Sequence, residues 1–264
     1  MSIPEKYFPV ANLLQGRVIL ITGAGQGLGK AAALAFSAHG ASVVLHGRKT
    51  PKLESLYDEI VKRGGPEPAI FPLDLGGASD LEFDGLAHAI QREFGRLDGV
   101  LHSAVHLTPL TPLAHQTLDQ WLALMRINLA APFALTRSCL PLLKAAPDAS
   151  VVFTSESHAR APKAYWGGFA VSKAGLHTLT QIWADEFSGT NVRFNTLIPG
   201  PVASPQRRQS HPAESGAALP SADSLMPAYL FLIGPDSQGT SGMVLSATEA
   251  TGETAPETIC QSNT

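Results

Sequence analysis

Short apolar runs alternate along this chain with longer stretches of helical spacing. Val18 to Thr22 reads VILIT, a run without polar alternation that predicts a strand buried on both faces. Glycines follow at once, then an Ala-rich helical stretch from Gly27 to His39, with Gly40 placed to cap it. Ser42 to His46 (SVVLH) predicts the second strand, and Thr50-Pro51 opens a helix with Thr as N-cap and Pro at the first helical position. Ala69 to Leu73 is the third strand, and Ser79-Asp80-Leu81-Glu82 is a capping box that starts the next helix. Gly99 to His102 is the fourth strand. A second capping box, Thr117-Leu118-Asp119-Gln120, begins a helix running to Leu129, and a further helix over 131–145 follows a kink at Pro132. Ser150 to Thr154 is the fifth strand, Tyr165 to Phe187 a long helix, and Asn191 to Leu197 the sixth strand, ended by Pro199-Gly200. A helix over 221–233 and a short strand over 242–246 complete the pattern. Strands and helices alternating in this way predict an α/β fold: one doubly wound parallel sheet with helices on both faces.

Composition narrows the class of molecule. The chain has 264 residues, 44% of them hydrophobic and 16% charged, which suits one large α/β domain and excludes a disordered chain. A net charge of −3 without a basic run argues against nucleic acid or an anionic membrane as partner. The stretches 31–47 and 99–118 are the longest without charge, and both are broken by polar residues, so neither suits a membrane helix. Glu5 and Lys6 stand where a signal peptide needs an apolar run. Two cysteines, Cys139 and Cys260, make no disulfide framework and point to a reducing cytoplasm. Residues 200–222, rich in Pro, Ser, Gln and Ala, are expected to form a mobile loop over a substrate. Residues 247–264 are expected to be a disordered tail, which leaves 1–246 as a single domain.

The first strand ends in Thr22-Gly23-Ala24-Gly25-Gln26-Gly27-Leu28-Gly29. Glycines between a strand and a helix let the backbone approach a pyrophosphate, which the free N–H groups and dipole of the helix start then hold. The dinucleotide would lie across the carboxyl ends of the strands in a Rossmann-type arrangement. An acid at the end of the second strand would accept the ribose 2′-OH of NAD. Here that strand ends His46-Gly47-Arg48-Lys49, and no Asp or Glu occurs between Glu5 and Glu54. Arg48 would welcome a 2′-phosphate, so NADP(H) is expected over NAD(H). Gln26, uncharged in the glycine turn, is a mild counter-sign.

The Gly23-x-x-x-Gly27-x-Gly29 spacing resembles the short-chain dehydrogenase/reductase family, and the resemblance extends over 15–245. Asp74 matches the family's acid near the adenine, Asn128 its helix-four Asn, Ser155 its catalytic Ser and Lys173 its catalytic Lys. Asn195 to Val202 matches the segment that closes over the nicotinamide. The resemblance implies a cofactor site made by Thr22, Gly23, Gln26, Gly27, Leu28, Gly29, Arg48, Asp74, Leu75, Ser103, Ala104, Lys173, Pro199, Gly200 and Val202, and no metal. It also implies a homodimer or homotetramer packed through 117–145 and 165–187.

Two departures from the family stand near one site. The family's proton-donating Tyr, four residues before the Lys, is Phe169 here, and its Asn-Asn-Ala-Gly segment is His102-Ser103-Ala104-Val105. Phenylalanine has no ionisable proton, and losing general acid–base help costs about 10²–10⁴ in rate. His158, in the loop after Ser155, and Tyr165 are the alternative donors, Tyr165 only if Gly167 and Gly168 break the helix. Two readings follow. One is an NADP(H)-dependent reductase of a carbonyl or similar group on a small molecule. The other is a nucleotide-binding homologue that has lost redox chemistry and acts as a sensor or partner subunit.

Overall fold

Residues 3, 4 and 7–247 are described by a computed structural model, so the expected tail beyond Ala247 lies outside the described residues. Seven strands make one sheet: β1 (Val18–Thr22), β2 (Ser42–Gly47), β3 (Ala69–Pro72), β4 (Gly99–His102), β5 (Ala149–Thr154), β6 (Val192–Ile198) and β7 (Val244–Ser246). Their spatial order is β3-β2-β1-β4-β5-β6-β7, and every neighbouring pair is parallel. Every residue of β1, β4, β5 and β6 is buried, as strands covered on both faces of a parallel sheet require, including the polar Arg193, Asn195 and Thr196 of β6.

Parallel neighbours need crossovers. Helices α1 (Gly27–Ala38), α2 (Thr50–Lys62), α3 (Asp80–Phe94), α4 (Leu118–Met125), α5 (Ala131–Ala145), α6 (Gly167–Glu186), α7 (Pro205–Ser210) and α8 (Met226–Ile233) lie in or after them. Side chains alternate along each strand, which divides the core. Ile19, Ile21, Val43 and Leu45 pack with Phe36 of α1, Leu53, Leu56 and Ile60 of α2, and α8. Val18, Leu20, Val44 and Val151 face the other way, onto Phe83 and Leu86 of α3, Leu135 of α5, and Leu176 and Trp183 of α6. Each such side chain contributes about 1.5–3 kcal/mol on burial.

Both capping boxes form. Glu82 accepts from Ser79 N at 2.8 Å, and Thr117 Oγ1 accepts from Gln120 N at 3.2 Å. Four expectations change. Thr50 is the first residue inside α2, and Lys49, not Thr50, is the N-cap. The kink expected at Pro132 is a π-helical turn, Arg126–Ala130, between α4 and α5. Pro132 has no N–H to give to the carbonyl four residues earlier, so the ladder shifts to a wider register. Residues 200–222 are not a plain loop, since α7 forms there, with Ser204 capping Arg207 N and Pro205 in the first turn. The long helix begins at Gly167, leaving Tyr165 outside it with a left-handed φ of 75°.

Candidate active site

The sheet changes direction between β1 and β4, and the main cleft opens beyond the carboxyl ends of these strands. One end is made by the turn from Gly23 to Leu28, with His46, Arg48, Lys49 and Lys52 beside it. Asp74, Leu75, Ser103, Ala104, Val105 and His106 line its middle. The other end carries Thr154, Ser155, Glu156, Lys173, Pro199, Gly200 and Val202, and α7 contributes Pro205, Gln206, Arg207 and Ser210.

Gly29 is needed by the fold, because a Cβ there would lie 2.3 Å from the carbonyl oxygen of Gly23. Gly27 is different. Its φ is +58°, and a Cβ would reach to 3.4 Å from Pro205 Cδ, filling the gap between the turn and α7. Thr22 does not line the cleft. Its Oγ1 accepts from Ser103 N and Ala104 N, both at 3.1 Å, and so fixes the turn after β4. Lys52 Nζ bonds Gln26 Oε1 at 2.5 Å, which places a third cation beside Arg48 and Lys49.

Behind the wall stand two predicted site residues, Asn128 and Phe169. Asn128 is fully buried. Its Oδ1 accepts from His106 N at 2.8 Å, and its Nδ2 donates to His106 O at 2.9 Å and Ser172 Oγ at 3.2 Å. It therefore shapes the 102–106 segment. Phe169 is 1% exposed and packs with Leu107, Leu124, Trp166 and Ala170, with Val105 against the same cluster. An apolar ring gains by this burial, while nothing in the cleft attracts it.

Lys173 is buried, and its Nζ donates to Thr154 O at 2.9 Å. Burial pulls its ammonium down to about 8, and the nearby Glu156 carboxylate opposes that shift. The Ser155 hydroxyl is 2.7 Å from His177 Nε2, one helical turn beyond Lys173. Burial, then Arg160 and Lys173, bring His177 down to about 4, so the ring is neutral at pH 7. Glu156 Oε1 accepts from Ser157 N at 2.9 Å and Ser157 Oγ at 2.8 Å, and lies 3.5 Å from His158 Nδ1. His158 stacks on Trp166 with ring centroids 3.9 Å apart and does not line the main cleft. Tyr165 is 57% exposed and faces a separate apolar pocket with Leu113 and Val171. Neither alternative donor therefore lines the main cleft.

The family model described as short chain dehydrogenase matches residues 17–215. The chain belongs to the short-chain dehydrogenase/reductase family. It is 37% identical over 241 residues to the uncharacterized oxidoreductase YciK of Escherichia coli K12, covering 91% of this chain and 95% of that one. Its fold superposes on a short chain dehydrogenase from Pseudomonas syringae with a TM-score of 0.88 at 44% identity, over 92% of this chain and 99% of the other. A family structure from Shigella flexneri complexed with NADP has a TM-score of 0.88 at 37% identity, over 90% and 99% of the two chains. One from E. coli CFT073 complexed with NADPH gives the same four values.

The cleft fits a dinucleotide. Gly27 offers a cradle that a Cβ would fill, at the start of α1 where unpaired N–H groups suit an anion. The cations Arg48, Lys49 and Lys52 cluster at the same end. Sequence reading passed over Lys52, Glu156, His177 and Arg207. Two signals were present: Lys52 lies one turn into the helix opened by Pro51, and His177 shares a helix face with Lys173 at i, i+4. Glu156 is adjacent to Ser155, and Arg207 lay in a segment read as loop. Among the described residues no group of three or more His, Cys, Asp or Glu side chains is placed to hold a metal, and no helix is long and apolar enough to cross a membrane.

Proposed function

We propose that this protein is an NADP(H)-dependent oxidoreductase acting on a polar double bond, a carbonyl or its nitrogen analogue, of a small molecule. The observation that carries the reading is the basic end of the cleft. Arg48 sits just after β2, with Lys49 and Lys52 lining the same region and no acid between Glu5 and Glu54 to receive a 2′-OH. A 2′-phosphate there gains paired, charge-assisted hydrogen bonds from the guanidinium. The bound NADP and NADPH of the two similar structures support the same preference.

When bound, the reduced nicotinamide supplies the hydride. The chain's residues bind and orient. The Gly23–Leu28 turn and the start of α1 take the pyrophosphate, and Pro199, Gly200 and Val202 border the nicotinamide end. Lys173, with one N–H on Thr154 O, would have its remaining donors available for the ribose. Asp74 and Leu75 lie along the adenosine. We propose further that the molecule works in the cytoplasm as a homodimer or homotetramer. Apolar side chains left exposed on α4, α5 and α6, namely Leu118, Leu122, Phe133, Val171 and Ile182, would be covered between copies.

The test is NADPH oxidation across a panel of small carbonyl and imine compounds, with NADPH binding measured on the same protein. Binding together with turnover of a panel member is expected. Binding without turnover of any compound would favour a nucleotide sensor instead.

A further inference from the structure

We propose that the cleft selects a cationic C=N substrate, an iminium of a small apolar molecule, over a neutral ketone. The inference rests on the NADP(H) oxidoreductase reading and names its substrate class. It starts from two facts about the catalytic end. The position that would carry a hydroxyl holds Phe169, withdrawn into a cluster with Leu107, Leu124 and Trp166, so no proton donor projects from there. In the same end of the cleft stands a carboxylate, Glu156, directly after Ser155.

That carboxylate keeps its charge. Burial pushes it up, but His158, whose Nδ1 lies 3.5 Å away, and hydrogen bonds from Ser157 N and Oγ outweigh burial and hold it below the usual carboxylate range. Its field reaches Lys173, Arg207 and His211, and His158 lies beside it. The two cations at its own end of the cleft, Lys173 and Arg207, are bonded elsewhere. Lys173 bonds Thr154 O, and Arg207 is held by Glu214 through two bonds of 2.5 and 2.8 Å. Val105, backed by the Phe169 cluster, gives the neighbouring wall an apolar lining. An anion beside an apolar wall suits an apolar cation.

The chemistry agrees with that selection. Reduction of a ketone builds a negative oxygen, which a neighbouring carboxylate repels and which no Tyr hydroxyl at position 169 is present to protonate. An iminium carbon accepts the hydride, two electrons and one hydrogen nucleus, from the reduced nicotinamide. The C=N π pair moves onto nitrogen and cancels its charge, a neutral amine leaves, and the nicotinamide is left oxidised. No proton is consumed. Glu156 holds the imine in its protonated, electrophilic form and excludes groups that become anionic.

The experiment compares dihydroisoquinoline, its permanently charged N-methyl iminium salt and the matched ketone tetralone as substrates with NADPH. It also measures binding of tetrahydroisoquinolinium and of tetralol to the NADPH complex. The two C=N compounds should be turned over at least about tenfold more efficiently than tetralone, and the ammonium ion should bind while the alcohol does not. Glu156→Gln should lower the iminium-to-ketone ratio and the ammonium affinity by about tenfold or more, the range of a charge-assisted contact, with NADPH affinity retained. Glu156→Asp should keep both. It also carries the test if the Gln variant fails to fold. Preference for tetralone, an unchanged ratio in folded Glu156→Gln, or no binding of the ammonium ion overturns the inference. Failure of wild type to bind NADPH is a separate result, and it overturns the cofactor reading beneath it.

Discussion

Two glycines two positions apart answer to different demands. At Gly29 an added Cβ would collide with the Gly23 carbonyl at 2.3 Å, so Gly29→Ala is expected to destabilise the fold itself. At Gly27 the space beyond the backbone is the proposed cofactor cradle. Gly27→Val is expected to leave a folded protein, weakened by about 1–3 kcal/mol of left-handed strain, that has lost nucleotide binding. Thermal melts beside NADPH fluorescence titrations separate the two effects. Retained binding in a folded Gly27→Val protein would remove the turn from the cofactor site. The other residue-scale result is Phe169. From sequence alone its place in the family pattern suggests a ring at the site of chemistry. The structure withdraws it, because a side chain without a hydroxyl gains more from Leu107, Leu124 and Trp166 than from an aqueous cleft.

At the scale of elements, the strand ends hold buried histidines. His46 on β2 is 1% exposed, and neither of its ring nitrogens has a hydrogen-bond partner among the described residues. His102 on β4 sits against Thr136 and is stacked on Phe153. Burial lowers His46 from 6.5 to about 4, and burial, then His46 and Lys173, lower His102 to about 3. Both folded values lie below the unfolded one. Their neutral forms therefore support the fold fully above pH 6.5, and stability falls as the pH drops from 6.5 toward 4, by a few kcal/mol on the order of 1.4 per unit and per group. Urea unfolding across that range should show the loss, and His46→Leu should remove His46's share of it while His102's share remains. A pH-independent stability would contradict these burials. A second element-scale prediction concerns α7. It is tied to the body by Gln209 Nε2 donating to Leu107 O at 2.9 Å. Gln209→Ala should speed proteolytic cleavage within 203–222, and NADPH should restore protection. Equal cleavage rates in both proteins would mean the tie holds nothing.

For the whole molecule, the sheet was legible because most strands are short, largely apolar runs bounded by turn residues, and the two capping boxes marked helix starts correctly. The glycine turn and Arg48 were legible because both ends of the cofactor reading lie in short, local segments. What escaped depends on contacts between distant segments. No local pattern says that Asn128 will tie down His106, or that Ser155 will meet His177 across 22 residues. The π-helical turn at Arg126–Ala130 follows from a missing N–H whose effect appears only once the two helices are joined. Ser204-Pro205 did carry a helix-start signal, but the composition of 200–222 hid it. Assembly is the property of the whole chain that its surface predicts. Leu122→Glu on α4, where Leu122 is 53% exposed, should shift sedimentation toward the monomer while leaving the fold intact. A monomeric wild type would leave those apolar faces unexplained by self-association.

Whether a 2′-phosphate meets Arg48 is tested most directly by a fluorescence titration of NADPH and NADH against wild type and Arg48→Ala. A charge-assisted pair is worth about 1.5–3 kcal/mol, so wild type should prefer NADPH by about tenfold or more. Arg48→Ala should lose most of that preference by weakening NADPH alone. Equal wild-type affinities for the two cofactors, or a parallel loss of both in the variant, would contradict the assignment.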